Sequence, residues 1–596
     1  MRTRQQVFSR IIVYLVLIGL MLGLVAFLAL PSTQARPGHK GSPGGLITQI
    51  RAKEGLSESQ LGKLDPASEG AKLATFGLRG VAVNVLWLKA QNFKKKKDWA
   101  NAMATINQLM LLEPHFVAVW RFLGWDISYN YSVEFDDYRE RFRWVIRGAE
   151  FLREGIRYNE KEPLIYRDVG WTYAYKIGNA DEKKEFRRLF TDPEDPYNVH
   201  HGEPPRDNWL VGKDWFAKSE KIVDEGAFLR AGPLVFYKNR PMAQMNYAKV
   251  IEEEGTFGEK ARWAWKTAYS DWVEDYGQRE FTAGREQETI RLDDKERILR
   301  EIADLTAQID ALEPGLRESM IEERKAQLTP AEKLALSIPP AQRTDAQAEA
   351  AYEAERKIEV THEQVARRIK DPKKREQALE LAEKAQDLER IAELIELERS
   401  IVAYNSWKLK AAVEQTDDAI AAREQLYLAR QAYIGNEPYR AKEHFFKAAE
   451  HWKAVLDNFT GADLLHDSSW ADEMAEFTNR GVKILEAIDE VFPPDYPLAP
   501  ILREKIVWMP LYRDAREAML QAEAAYAKKD FARAKTYYEE GFDRWYEVLD
   551  AVPALQLLAD PVTVDELNGY IRHYDDILAR NGEFFPRSFK LESFVH

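Results

Sequence analysis

Two stretches share one pattern: Arg121, Trp125 and Tyr129, and Arg167, Trp171 and Tyr175, each a guanidinium followed by two rings at steps of four. On a helix such steps set each trio on one face. Arginine can give a carboxylate two parallel hydrogen bonds, and Trp and Tyr supply broad contact area at little entropic cost. That chemistry is recognition rather than bond breaking. A second reading stands beside it, in which the rings pack as core between helical layers with arginine stacked on them. Eleven of the sixteen tryptophans lie between Trp87 and Trp272, which suits either reading.

Catalytic and metal-binding patterns are sparse. The sequence lacks Gly-x-x-x-x-Gly-Lys, Gly-x-Gly-x-x-Gly, Gly-x-Ser-x-Gly and His-Glu-x-x-His. His200, His201 and Glu203 crowd one segment with Asp192 and Asp195, but adjacent histidines point apart unless the backbone is extended, so a polar loop is expected there. His444 and His451 sit two helical turns apart, roughly 10 Å, too far for one ion. Asp136-Asp137 and Asp417-Asp418 are neighbours along the chain rather than carboxyls facing across a cleft, and read as solvated helix surface. The run Lys94 to Lys97 reads as a solvated turn. The expectation is a non-enzyme with no metal and no cofactor.

The elements that must position these residues are helices. Leu86, Ala90, Phe93, Ala102, Ile106, Leu109 and Pro114 follow one another at steps of 4, 3, 9, 4, 3 and 5, after which Trp120, Leu123 and Gly124 begin again. This spacing resembles the 34-residue tetratricopeptide (TPR) repeat, a helical hairpin whose small residues sit where the helices cross. Leu86/Ala90/Phe93, Trp120/Gly124/Ile127 and Tyr166/Gly170/Tyr173 align as three first helices. About 13 extra residues around Glu134 to Arg143 separate Gly124 from Ala149, and the third start has no recognisable second helix nearby. In TPR proteins the matching first-helix positions line a concave groove, so the resemblance adds Asn84, Trp87, Gln91 and Lys94 to the two trios as partner-binding residues. A hairpin of this kind cannot bury its apolar face alone, so neighbours must stack on it.

The rest of the 596-residue chain frames that region. Residues 11–30 are uncharged, long enough for a transmembrane helix, and Arg2, Arg4 and Arg10 before them put the N-terminus (1–10) in the cytoplasm. A cleaved signal peptide is the competing account. The expected location is the inner (cytoplasmic) membrane, single-pass, with the bulk extracytoplasmic. Pro, Gly and Ser make 31–46 a flexible linker. An N-terminal TPR-like domain is expected over 47–281. From 282 to 400 Trp vanishes and Glu, Lys, Arg, Ala and Leu dominate, with seams at Ile298, Ile302, Leu305, Ile309 and Leu312 and at Leu381, Ala385, Leu388, Ala392 and Ile395. These predict an antiparallel helical, coiled-coil arm that sets distance or self-associates. Ala429/Ala441/Phe445/Ala448 and Ala522/Ala534/Tyr538/Gly541 repeat one spacing in a C-terminal TPR-like domain, 401–580, before a tail, 581–596.

A net charge of −13 argues against nucleic acid as partner. The absence of cysteine removes disulfides and thiolate sites. The fold class expected is all-α, and the function a membrane-anchored scaffold or adaptor for a protein or peptide in the bacterial envelope. The alternatives are an envelope enzyme working on carbohydrate through the Trp-rich region, or an architectural coiled coil.

Overall fold

In the computed structural model, residues 4–28, 30, 42–53, 79–195, 206–285, 287–340, 343–459, 464, 468–490, 493, 496–498, 509–551, 561–586 and 589–591 are described. His200, His201 and Glu203, most of the linker and part of the tail lie outside them. The protein is all-α, 79% helical, with one short antiparallel hairpin of β1 (Phe281–Ala283) and β2 (Glu288–Ile290) among the described residues. Two compact units divide it, Met1–Tyr247 and Ala248–His596.

The first unit opens with α1 (Arg4–Leu28) and α2 (Leu46–Lys53). Among the described residues no helix is long and apolar enough to cross a membrane. The transmembrane expectation for 11–30 is therefore not met there.

Helical hairpins follow. The first is α3 (Arg79–Lys95) and α4 (Trp99–Leu112), whose Asp98 cap accepts from the Asn101 N–H at 3.3 Å. Ala90, Ala102, Ile106 and Leu109 are buried at its crossing, as their spacing predicts. The second pairs α5 (Val117–Asp126) with α6 (Tyr138–Tyr158). Here a Cβ on Gly148 would lie 2.9 Å from the Gly124 carbonyl oxygen, so only glycine allows this approach. The extra residues between these helices form a π turn (Ile127–Tyr131), a single 3₁₀ turn (Ser132–Glu134) and the Asp137 cap of α6.

The third hairpin does have a second helix, displaced along the chain. α7 (Pro163–Trp171) passes into a π turn (Thr172–Lys176), α8 (Lys183–Thr191) intervenes, and α9 (Asn208–Asp224) then packs on α7. Gly170 faces Gly212, where an added Cβ would meet Ala174 Cβ at 2.6 Å. An insertion had hidden this partner from spacing alone. α10 (Pro233–Tyr237) and α11 (Asn239–Glu253) follow, the last turn of α11 belonging to the second unit.

In that unit α12 (Glu259–Ser270) also runs into a π turn, Asp271–Tyr276. The β-hairpin leads to α13 (Lys295–Leu312), then α14 (Leu316–Ala326), α15 (Pro330–Ser337), α16 (Asp345–Ile358), α17 (His362–Arg368) and the long α18 (Pro372–Val402). α13 and α18 lie antiparallel. Arg399 grips Glu296 with two bonds of 2.7 and 2.8 Å at one end, and Lys374 reaches the Leu312 carbonyl at 3.0 Å at the other. Ile298, Ile309, Ala385, Ala392 and Ile395 of the expected seams are buried. Pro330 and Pro372 open helices rather than interrupt them, since a first-turn N–H has no helical partner to lose.

α19 (Tyr404–Glu414), the hairpin α20 (Asp417–Ile434) and α21 (Pro438–Asn458), and α22 (Ser468–Glu486) come next. The chain closes with the hairpin α23 (Pro510–Ala527) and α24 (Phe531–Ala551), then α25 (Pro561–Asn581). Ala429, Ala441, Phe445, Ala448, Ala522, Ala534 and Tyr538 are all buried, so the recurring spacing marks helix crossings.

Candidate partner-binding surface

The two trios sit at the end of α5 and of α7, where each helix widens into a π turn. A π turn inserts one residue into the hydrogen-bond ladder, and such turns occur often at functional sites. At both, a hydroxyl adds a bond to a carbonyl one turn back: Ser128 Oγ donates to the Gly124 carbonyl at 2.8 Å, and Thr172 Oγ1 to the Asp168 carbonyl at 2.9 Å. The rings that follow stack. Trp125 and Tyr129 have centroids 5.8 Å apart at 20°, and Trp171 and Tyr175 are 4.3 Å apart at 28°.

These pairs join into one row. Trp87 of α3 lies 5.6 Å from Phe122, Phe122 lies 6.3 Å from Trp125, and the Trp171 indole N–H donates to the Tyr129 hydroxyl at 3.2 Å. The row thus crosses the first helices of three consecutive hairpins. Its rings are not sealed in a core: Phe122 is 45% exposed, Trp125 49% and Trp171 42%. Tyr175 is the embedded end, edge-on to Trp209 at 5.2 Å, and burial pushes its hydroxyl up to about 12. Burial also raises Tyr129, against the opposing Trp171 indole donor.

The arginines are already engaged. Arg121 Nε donates to Asp168 Oδ2 at 2.5 Å and Arg167 Nη2 to Asp168 Oδ1 at 2.8 Å, so two guanidiniums share one carboxylate. Taken alone, this triad carries one surplus positive charge. Lys176 adds its ammonium 4.5 Å over the Tyr129 ring, its pKa lowered first by burial. Lys94 turns away from the row. Its ammonium bonds the buried Asp126 at 2.6 and 2.7 Å, tying the first hairpin to the second, while Asn130 donates to the same carboxylate at 2.6 Å. Asn84 is exposed and returns its amide to the Gly80 carbonyl at 3.0 Å; Gln91 is half-buried on the same helix.

Six of the ten expected residues therefore gather, Arg121, Trp125, Tyr129, Arg167, Trp171 and Tyr175, with Trp87 joined through Phe122. Asp168, Phe122 and Lys176 are the participants that spacing overlooked. Asp168 did leave a signal: an acid directly after Arg167, at the position Phe122 holds after Arg121.

The other candidates have structural roles. His444 Nδ1 lies 2.8 Å from Gln425 Oε1 and His451 Nδ1 3.0 Å from Asp418, so both histidines join α21 to α20. Asp137 caps α6 through the Arg139 N–H at 2.8 Å. No known family model, curated protein or solved structure matches the chain. What fold and surface define is a class: an all-α protein of helical hairpins that displays a half-exposed aromatic row.

Proposed function

We propose that the protein is a non-catalytic scaffold of TPR-like hairpins that holds a protein or peptide partner along the row from Trp87 to Tyr175. The observation that carries this reading is the exposure of Phe122, Trp125 and Trp171 in one connected series. Rings that only filled a core would not leave 42–49% of their surface in water. Exposed aromatic surface with a charged rim is what interfaces use, the rings giving affinity and the charges register. The Arg121–Asp168–Arg167 triad then serves as a rigid, weakly positive edge rather than a pair of free clamps. Attachment to the cytoplasmic membrane rests on the uncharged sequence 11–30 behind three arginines, and its direct test is whether the full chain stays in the membrane fraction after a high-salt wash.

The experiment for the groove is partner capture from a native membrane extract by the full chain and by a Trp125→Ala, Trp171→Ala double variant with an unchanged melting temperature. A stoichiometric partner held by the first and released by the second supports the scaffold. Identical recovery with both sinks it.

A further inference from the structure

Five charged side chains meet inside the second unit: Glu252 of α11, Lys410 and Glu414 of α19, Arg423 of α20 and Glu473 of α22. Arg423 is the hub. Its Nε donates to Glu414 Oε2 at 3.2 Å, and its Nη2 bonds both Glu414 and Glu473. Lys410 donates to the other Glu473 oxygen at 3.0 Å. Trp452 lies beneath Arg423 at 4.8 Å and Trp470 beneath Lys410 at 5.6 Å, so apolar rings wall the cations. Glu252 and Glu414 are only 6% and 1% exposed.

Charge bookkeeping singles out one residue. Three carboxyls face two cations, and full ionisation would strand one negative charge where water cannot reach it. Arg423 and Lys410 are bonded to Glu414 and Glu473, whereas the partner of Glu252 is neutral, the Trp265 indole N–H at 2.9 Å. Burial, and after it the Glu414 charge, push the Glu252 carboxyl up to about 8, Arg423 and the indole opposing and Glu473 adding to the rise. Glu473 goes the other way, held at about 2 because Arg423 and Lys410 outweigh its burial.

We propose that this cluster is a pH-sensitive latch: with Glu252 protonated it fastens the last turn of α11 to α12, α19 and α20, and ionisation of Glu252 loosens these helices. The direction follows from linkage. An unfolded glutamate loses its proton near pH 4.3, roughly, whereas the folded one keeps it to about 8, so the folded form is progressively penalised as pH rises through that window. One proton held only by the folded form changes the unfolding equilibrium by up to about tenfold per pH unit. Glu473 titrates below this window and does not mask it.

The test is hydrogen exchange of the full chain, corrected for intrinsic rate, at about pH 6 and about pH 9, values that bracket the Glu252 transition. Residues 248–270 are expected to open more at the higher pH in the wild type and equally at both in Glu252→Gln, with 99–112, a helix without a titratable side chain, as the unresponsive reference. No pH response in the wild type, or the same response in Glu252→Gln, overturns the latch. If Glu252→Gln does not fold, Trp265→Phe keeps an aromatic ring at this buried position, at some loss of volume, and removes the N–H that favours the ionised form. It must move the response to higher pH, and an unmoved response overturns the proposal.

Discussion

The aromatic row of the first unit and the glutamate cluster of the second use the same materials, tryptophan rings and arginine–carboxylate pairs, but differ in how deeply their carboxyls are enclosed. Around Asp168 two guanidiniums share one acid, with side chains 18–30% exposed. Around Arg423 three acids share two cations behind Trp452 and Trp470. At the row a surplus charge is tolerated because water and salt screen it. In the cluster Arg423, Lys410 and Glu473 keep 19–25% of their side chains in water, but Glu252 and Glu414 are only 6% and 1% exposed, so a surplus on Glu252 is poorly screened and a proton removes it. Unmatched charge at a surface is thus available to a partner, and unmatched charge in a core becomes a sensor of pH.

The comparison breaks most severely at its buried hub. Arg423→Met leaves Glu414 and Glu473 without their shared guanidinium and is expected to destabilise the second unit by about 3–5 kcal/mol, read by denaturant unfolding. An equal loss from Arg121→Met would show that burial does not separate the two sites. Next in size is the row itself. Trp125→Ala and Trp171→Ala should each weaken partner binding by about 2 kcal/mol, roughly thirtyfold, while unfolding midpoints stay nearly constant. Loss of fold in either variant would assign the rings to the core.

Presentation of the row can be separated from contact with it. Gly212→Ala places a methyl against Ala174 Cβ at 2.6 Å and the Gly170 carbonyl oxygen at 2.8 Å, and should cost about 1–3 kcal/mol in stability without touching a ring. Acid sharpens the cluster. Because Glu473 sits at about 2 when folded and near 4.3, roughly, when unfolded, its stabilisation is complete above the unfolded value and fades as pH falls toward the folded one. Glu473→Gln should remove that part of the acid slope in a pH series of melting curves. The smallest effect belongs to Asp168→Asn, which frees Arg121 and Arg167 at a cost of no more than about 1 kcal/mol, as for exposed ion pairs. Titration with an acidic peptide should then show tighter binding than to the wild type.

The sequence carried the helices, the pairing seams of α13 and α18 and most hairpin crossings, because periodicity and small-residue spacing are local properties of the chain. Ala90 with Ala102, Ala429 with Ala441 and Ala522 with Ala534 could be read directly and all proved buried. The trios were legible for the same reason, since steps of four on one helix define a face before any neighbour is known. Their charge state was not legible. Asp168 neutralises Arg121 from 47 residues away, and the helix that completes the third hairpin follows an insertion that breaks the spacing.

The sequence by itself therefore determined which segments become helices and which faces they offer. Only the tertiary structure decided which faces stay in water and which charges share a partner: Trp125 and Trp171 half-exposed, Lys94 turned onto Asp126, Glu252 enclosed with two other carboxyls. The reason is physical. Helix formation is settled by bonds between residues three to five apart, whereas burial and electrostatics depend on groups brought together from distant parts of the chain.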